Sequence, residues 1–322
     1  MKRILFSILV TVVIIVILFT QISLKDLSTL LKNIDPFWAI LGTGVYLIGL
    51  LARAFRFKWL IHSREIPLLE LFKISILYHL SLMVLPSKLG ELSYPYLLNK
   101  SSRMSITEGM ASLIASRVYD FFTFVIIFLF AAMGFQSFFR INLFFIILFS
   151  AILIGLILLL FFHMGNILKY FSKAVGSISR WIGLENSPSL QWIQRKIHET
   201  AEDFYAIKAK KTYFPVTAAT LISWMMIFGM FYAYLRGFGI EVPFLKVIFG
   251  SAIAVIANVL PISGIGNWGT LEVGWAAGFL IVGLTKERAI ASGFGVHIFV
   301  FVICAVLGIL CWVTLKSPGK EK

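Results

Sequence analysis

The sequence predicts an all-α polytopic membrane protein, with six single crossings plus two re-entrant or double-crossing helical hairpins, arranged as inverted repeats. Three observations predict it. Hydrophobic residues make up 59% of the 322 residues and charged residues 14%, against about a quarter charged in a soluble domain, and the mean hydropathy is +0.93. The apolar residues gather in runs near the roughly 20 residues that carry a helix across a bilayer. Four landmarks of the first half, Phe37, Pro67, Pro86 and Glu108, return in order as Phe214, Pro243, Pro261 and Glu287 at offsets of 175–179 residues.

The elements follow in chain order. Met1-Lys2-Arg3 precedes an apolar run over 4–22. It is long for a signal peptide and lacks a small-x-small cleavage site, so it reads as a retained leading span within 1–35. Repeat A occupies 36–140, with crossings at 37–57 and 106–135. Between them Leu68–Leu85 ends at Pro86, and Leu92–Leu98 is too short to cross and carries Pro95. That stretch reads as a hairpin entering and leaving on one side. A connecting region over 141–212 holds a crossing at 141–162 and a basic segment at 164–212. Within it, Trp192, Ile193, Ile197, Phe204 and Tyr205 recur near the helical period, which predicts an amphipathic helix on the membrane surface. Repeat B occupies 213–322, with crossings at 213–235 and 289–315 around a second hairpin, Phe244–Leu284.

The order of landmarks carries the duplication. Ile66-Pro67 returns as Val242-Pro243, Val84-Leu85-Pro86 as Val259-Leu260-Pro261, and Thr107-Glu108 as Lys286-Glu287. Three crossings separate the two starts, an odd number, so the repeats are expected to be inverted. Inverted repeats with broken helices are a transporter design.

Charge sets the orientation. With the N-terminus in the cytoplasm, 21 of the 29 Lys and Arg fall inside, seven fall outside and Arg117 lies within a span. Making Leu68–Leu85 a full span would leave 11 inside against 16 outside, against the positive-inside rule. The chain is therefore expected in the cell (cytoplasmic) membrane with both termini cytoplasmic. The net charge of +14 follows from topology, so no nucleic-acid partner is expected. Cys304 and Cys311 lie on one apolar run, too far apart for a disulfide within one helix. The five histidines never fall at i, i+3 or i+4, so no metal is expected. No cofactor is expected, and the oligomeric state is open.

The polar residues inside apolar text are the candidate site. Each hairpin breaks at Leu-Pro followed by glycines: Lys88, Gly90 and Glu91 in the first, Gly264, Gly266, Asn267 and Glu272 in the second, with Asn258 just before it. Irregular backbone at membrane depth must be buried in protein or line a wet cavity. A helix restarting after a break points free N–H groups at the gap, which suits an anion. The plainer reading is a turn at the membrane surface, with Glu91 and Glu272 as caps. Arg117 and Asp120 share a face at i, i+3, so they form either a structural ion pair or part of a polar pathway. Arg53, Arg56 and Trp59 sit at the cytoplasmic end of their crossing, as interfacial anchors or contacts to lipid phosphate. His297 reads as a satisfied buried histidine.

Together these motifs resemble the flippase-like, or lysylphosphatidylglycerol synthase transmembrane-domain, family, which includes the membrane half of multiple peptide resistance factor proteins. The resemblance rests on Arg53-x-x-Arg56 with Trp59, Leu85-Pro86-x-x-x-Gly90-Glu91-Leu92 followed by Tyr96-Leu97-Leu98, Arg117-x-x-Asp120, and Pro261-x-x-Gly264-x-Gly266-x-x-Gly269-x-x-Glu272. Ser93 and Tyr94 stand where members often carry a basic residue. The resemblance implies translocation of a membrane phospholipid or other anionic lipid. Some relatives carry a soluble aminoacyltransferase domain after the membrane region. This chain has seven residues after its last apolar run, so synthase activity is not expected. The alternative is an integral membrane enzyme or accessory protein acting on a lipid-linked substrate through Asp120, Glu91 and Glu272. A third is a partner-binding protein working through 164–212. With no ATP-binding P-loop motif, transport would be passive, ion-coupled or partner-dependent.

Overall fold

The computed structural model describes residues 24–85, 89–134, 143–259 and 268–315. The leading span at 4–22 lies outside them, as do Lys88, Gly264, Gly266, Asn267 and the side chain of Asn258. The described residues are all helical or connecting, without strands. The helices are α1 (Leu24–Lys32), α2 (Pro36–Leu60), α3 (Leu68–Val84), α4 (Ser93–Ser102) and α5 (Ile106–Met133), followed by α6 (Leu143–Trp181), α7 (Pro188–Ala209), α8 (Tyr213–Gly237), α9 (Phe244–Val259), α10 (Thr270–Ile281) and α11 (Lys286–Thr314). A short 3₁₀ turn, Leu89–Leu92, leads into α4.

Five helices (α2, α5, α6, α8 and α11) are long and apolar enough to cross a membrane. They fall on the five expected crossings within the described residues. Their starts are set by local chemistry. Asp35 caps α2 by accepting from the Phe37 N–H at 2.8 Å, and Pro36 opens the helix with its fixed φ. Ser105 caps α5 through the Glu108 N–H, and Thr285 caps α11 through the Arg288 N–H. Lys286 and Glu287 therefore belong to the first turn of α11, not to the preceding loop.

Each of the two stretches expected to form a hairpin holds a pair of helices, α3 with α4 and α9 with α10. In α3–α4, the 3₁₀ turn folds against the end of α3 so closely that a Cβ on Gly90 would lie 2.6 Å from the Ser81 carbonyl oxygen. In α9–α10, a Cβ on Gly278 would lie 1.9 Å from the Gly250 carbonyl oxygen. Only hydrogen fits there, and that brings the two backbones together. At 17, 10, 16 and 12 residues, these four helices run from about 15 to 26 Å, short of a hydrocarbon core of about 30 Å.

Contacts repeat across the two halves. α2 and α8 pack along their lengths in opposite directions, since Gly42 faces Tyr234, Gly49 faces Met226 and Gly237 faces Trp38. α3 packs on α11, where Gly308 meets Leu80, and α9 packs on α5, where Phe249 stacks on Phe128. α4 meets α5 through Tyr94, whose hydroxyl accepts from Ser112 Oγ; α10 meets α11 through Trp275, whose Nε1 donates to Ser292 Oγ.

The basic segment differs from the expectation. The apolar run ends near Phe162, but the helix continues through Lys169 and Lys173 to Trp181, 39 residues in all, or about 58 Å. It ends before Gly183, whose φ of +71° suits glycine. α7 then returns antiparallel along this extension: the Tyr205 ring covers Gly165, Gln194 covers Gly176, and Lys169 pairs with Glu202 at 2.8 Å. The expected amphipathic helix is present as α7; its C-terminal half packs on α6 and α5, with Phe204 buried against Phe161, while Trp192 and Ile193 near its start stay exposed.

Candidate functional site

Hydrophobic burial builds the bundle, and one consequence is that several charges on its inner faces have no water. α2 brings Arg53 and Arg56 inward, one turn apart. Arg56 is 3% exposed and its Nη1 donates to Asp120 Oδ1 at 2.5 Å. Trp224 Nε1 on α8 donates to the same oxygen at 3.2 Å. Arg117, one turn before Asp120 on α5, donates Nη1 to Asp120 Oδ2 at 3.4 Å. Its Nη2 donates to both oxygens of Glu91, at 2.6 and 2.7 Å, and to the Tyr78 hydroxyl. Tyr78 in turn donates to Glu91 Oε2 at 2.5 Å. Arg53 donates Nε to Ser223 Oγ at 3.2 Å and lies 3.3 Å from His79 Nδ1. A guanidinium has no acceptor, so that imidazole nitrogen accepts.

Five elements thus meet in one network. Its three guanidinium groups face two carboxylates, a surplus of one positive charge among these described residues. Nε of Arg56 is buried and makes no hydrogen bond among the described residues. Exposure rises outward: Arg56 and Asp120 side chains are 3% and 10% exposed, Glu91 and Arg117 26% and 35%. The network therefore runs from the dry bundle interior to an accessible edge beside the first hairpin. Such an arrangement can hold a phosphate by charge-assisted hydrogen bonds, with guanidinium groups presenting paired donors.

A second polar site lies in the other hairpin. Glu272 is fully buried and His297 is 3% exposed. Glu272 Oε1 meets His297 Nδ1 at 2.5 Å, and Oε2 accepts from the Gly269 N–H at 2.7 Å. Trp268 stacks on the imidazole with centroids 4.0 Å apart. The two sites correspond by position. Glu91 stands just before α4 and Glu272 in the first turn of α10. Arg117 and His297 are each the twelfth residue of their helices, α5 and α11.

The structure brings together Glu91, Arg117 and Asp120 as the sequence suggested, with Gly90 setting the turn that carries Glu91. It adds Arg53 and Arg56, which turn into the bundle instead of out to headgroups at the interface. Buried Arg56 pairs with Asp120, and half-buried Arg53 bonds Ser223 and His79. Trp59 stays 44% exposed, in keeping with an interfacial aromatic. Glu272 does cap its helix break, and it also holds His297. Tyr78, His79, Ser223 and Trp224 escaped the sequence reading. A histidine beside a tyrosine inside the apolar run of Leu68–Leu85 was the available signal. Among the described residues no group of three or more His, Cys, Asp or Glu could hold a metal ion.

The family model for the lysylphosphatidylglycerol synthase transmembrane region matches residues 4–308. The chain belongs to this family. The lysylphosphatidylglycerol synthase transmembrane family implies a lipid-related, multi-pass membrane protein, which fits the five apolar helices. No curated protein matches the chain.

Proposed function

We propose that this member of the family is a lipid translocator in the cytoplasmic membrane, moving a phosphate-bearing lipid past the Arg53–Arg56–Arg117 network. The observation that carries this reading is the surplus of guanidinium over carboxylate in a network that is buried at one end and accessible at the other. A charge costs several kcal/mol at membrane depth, roughly 2.5–3.5 even on insertion scales. A surplus cation held there is best explained by an anionic group that visits it. In this reading the acyl tails stay in the bilayer while the headgroup crosses beside the hairpin tips.

The repeat geometry supports the same reading. α2 and α8 run antiparallel and carry matching sequence landmarks, and the pairs α3–α11 and α9–α5 exchange under the same correspondence. We take this as an inverted duplication with two re-entrant hairpins and both termini in the cytoplasm. The chain acts here as a transporter and not an enzyme: Glu91 and Asp120 are each held by guanidinium donors, which leaves them poor general bases.

Reconstitution into liposomes with reporter lipids tests this. Movement of an anionic or polyprenyl-phosphate reporter above that in empty liposomes is expected, falling at least tenfold in the Arg117→Gln variant. Movement no faster than in empty liposomes for anionic, zwitterionic and polyprenyl-phosphate reporters would reject it.

A further inference from the structure

We propose that the Glu272–His297 pair is a proton-binding site, and that proton uptake there is linked to anionic-lipid binding at the arginine network. The inference rests on the reading of that network as the phosphate site, and adds what drives it.

The argument starts from positional equivalence. Glu91 and Glu272 occupy corresponding places before α4 and α10, and each reaches the twelfth residue of the next long helix. In the first half that residue is Arg117, which stays charged at any working pH. In the second it is His297, whose charge can change near neutrality. One half therefore has a permanent ion pair, and the other a pair whose charge depends on a proton. Nothing in packing requires this. The helix contact beside each pair is the same device, a ring on α4 or α10 hydrogen-bonded to a serine at position seven of the following helix.

The atoms give the proton a place. Glu272 Oε2 accepts from the Gly269 N–H, so it is held as an acceptor. The 2.5 Å contact between Oε1 and His297 Nδ1 needs a proton within it, so the proton gained or lost is the one on Nε2. The charged groups facing the pair come from several elements. α10 supplies Glu272 itself. α3, which packs on α11, supplies His79; Arg53 of α2 lies 3.3 Å from its ring, and the Tyr46 ring meets it 5.7 Å between centroids while the Tyr46 hydroxyl lies 2.9 Å from Cys304 Sγ on α11. Leu30 of α1 and Phe238, just past α8, touch Gly295, and the Tyr234 ring of α8 packs on Phe299 with its hydroxyl 3.3 Å from Thr43 Oγ1.

Charge balance sets the direction of the linkage. Without a lipid anion, the surplus positive charge of the arginine network is complemented by the pair with one proton fewer, Glu272 ionised and His297 neutral. An arriving phosphate takes over that compensation, so the pair is free to bind a proton. Lipid anion and proton therefore favour each other's binding, and the coupling is reciprocal.

Trp268 supplies a readout independent of transport, because a protonated imidazole stacked on an indole quenches its fluorescence. The experiment is a pH titration of the purified full chain in nanodiscs, with the Trp268→Phe trace subtracted, in phosphatidylcholine alone and with phosphatidylglycerol added. A sigmoidal quench is expected whose midpoint moves to higher pH with phosphatidylglycerol by at least about 0.7 unit, a fivefold coupling. His297→Gln should abolish it, and Glu272→Gln, which keeps an oxygen acceptor for Gly269 but removes the carboxylate beside the imidazolium, should move the midpoint to lower pH in both membranes even if His297→Gln fails to fold. A flat titration, or a midpoint that phosphatidylglycerol does not move, overturns the proposal. Reporter-lipid movement in proteoliposomes separates the two readings. Movement without the shift rejects the proton site alone. The shift without movement rejects translocation and leaves the linkage standing.

Discussion

Asp120→Asn removes the charge that Arg56 and Arg117 share while keeping the side chain's size. Asp120 Oδ1 holds Arg56 at 2.5 Å and Trp224 at 3.2 Å, and Oδ2 holds Arg117 at 3.4 Å. Charge centres about 4 Å apart attract by about 4 kcal/mol at an effective dielectric near 20. Arg117 keeps Glu91, so the loss falls mainly on Arg56, which is 3% exposed and already has an unbonded Nε. Removing one partner of a buried pair costs about 3–5 kcal/mol, because the remaining charge stays desolvated. The variant should therefore lose about 3 kcal/mol, a factor of more than 100 in the folding equilibrium. Reversible unfolding in mixed micelles, followed by tryptophan fluorescence, measures it. Arg56→Met in the same background completes a double-mutant cycle. If the pair is coupled as drawn, the double variant recovers about 2 kcal/mol relative to the sum of the singles. An Asp120→Asn protein within about 0.5 kcal/mol of the parent, or costs that add, would refute the assignment of Asp120 as the counter-ion that holds Arg56.

Other predictions follow from single contacts. Gly278→Ala should lower the melting temperature sharply despite alanine's better helix propensity, because its Cβ would meet the Gly250 carbonyl at 1.9 Å, whereas Gly44→Ala, with nothing within 4 Å, should be neutral or stabilising by up to about 1 kcal/mol. Arg117→Lys keeps the charge but loses simultaneous contact with Glu91, Tyr78 and Asp120, so reporter-lipid movement should fall at least about tenfold, the equivalent of about 1.4 kcal/mol; unchanged movement would rule out a role for the fork geometry. Gly165→Leu should push the Tyr205 ring off α6 and separate α7 from it, read as a longer spin-label distance between positions 176 and 194 with the membrane helices intact.

The long apolar helices were legible because each needs only its own residues. A run such as Ile106–Met133 is apolar along its length, and the bilayer asks nothing more of it. The breaks between α3 and α4 and between α9 and α10 were legible from the Leu-Pro and glycine text, since proline and glycine act locally. The α6 extension was not. Its sequence past Phe162 looks like a loop on hydropathy, yet Lys169, Lys173 and Arg180 are good helix formers on a water-exposed surface, and the stop at Gly183 needs the chain to turn back on itself. The direction of Arg53 and Arg56 was equally hidden. Their helical spacing says only that they share a side. What decides that this side faces inward is Asp120, 64 residues on from Arg56, and Ser223, 170 on from Arg53. Spacing within one helix revealed Arg117 with Asp120; no spacing rule reveals a partner on another helix.

The same limit explains why the correspondence of the two polar sites emerges only in three dimensions. In the text, Glu91 and Glu272 are two acidic residues after glycines, and Arg117 and His297 share no chemistry that a pattern search would align. Folding gives each carboxylate the same neighbour position, and then their difference becomes the informative feature. Two guanidinium pairs would leave the bundle electrostatically fixed at every pH. A guanidinium pair in one half and an imidazole pair in the other gives the halves different responses to the same proton and the same anion. In the translocation reading proposed above, such an inequality lets a proton and an anion bias the two states of the bundle differently. The duplication proposed above would start from two equal halves. The replacement of a permanent cation by a titratable one at position twelve is the smallest change in these residues that makes them unequal.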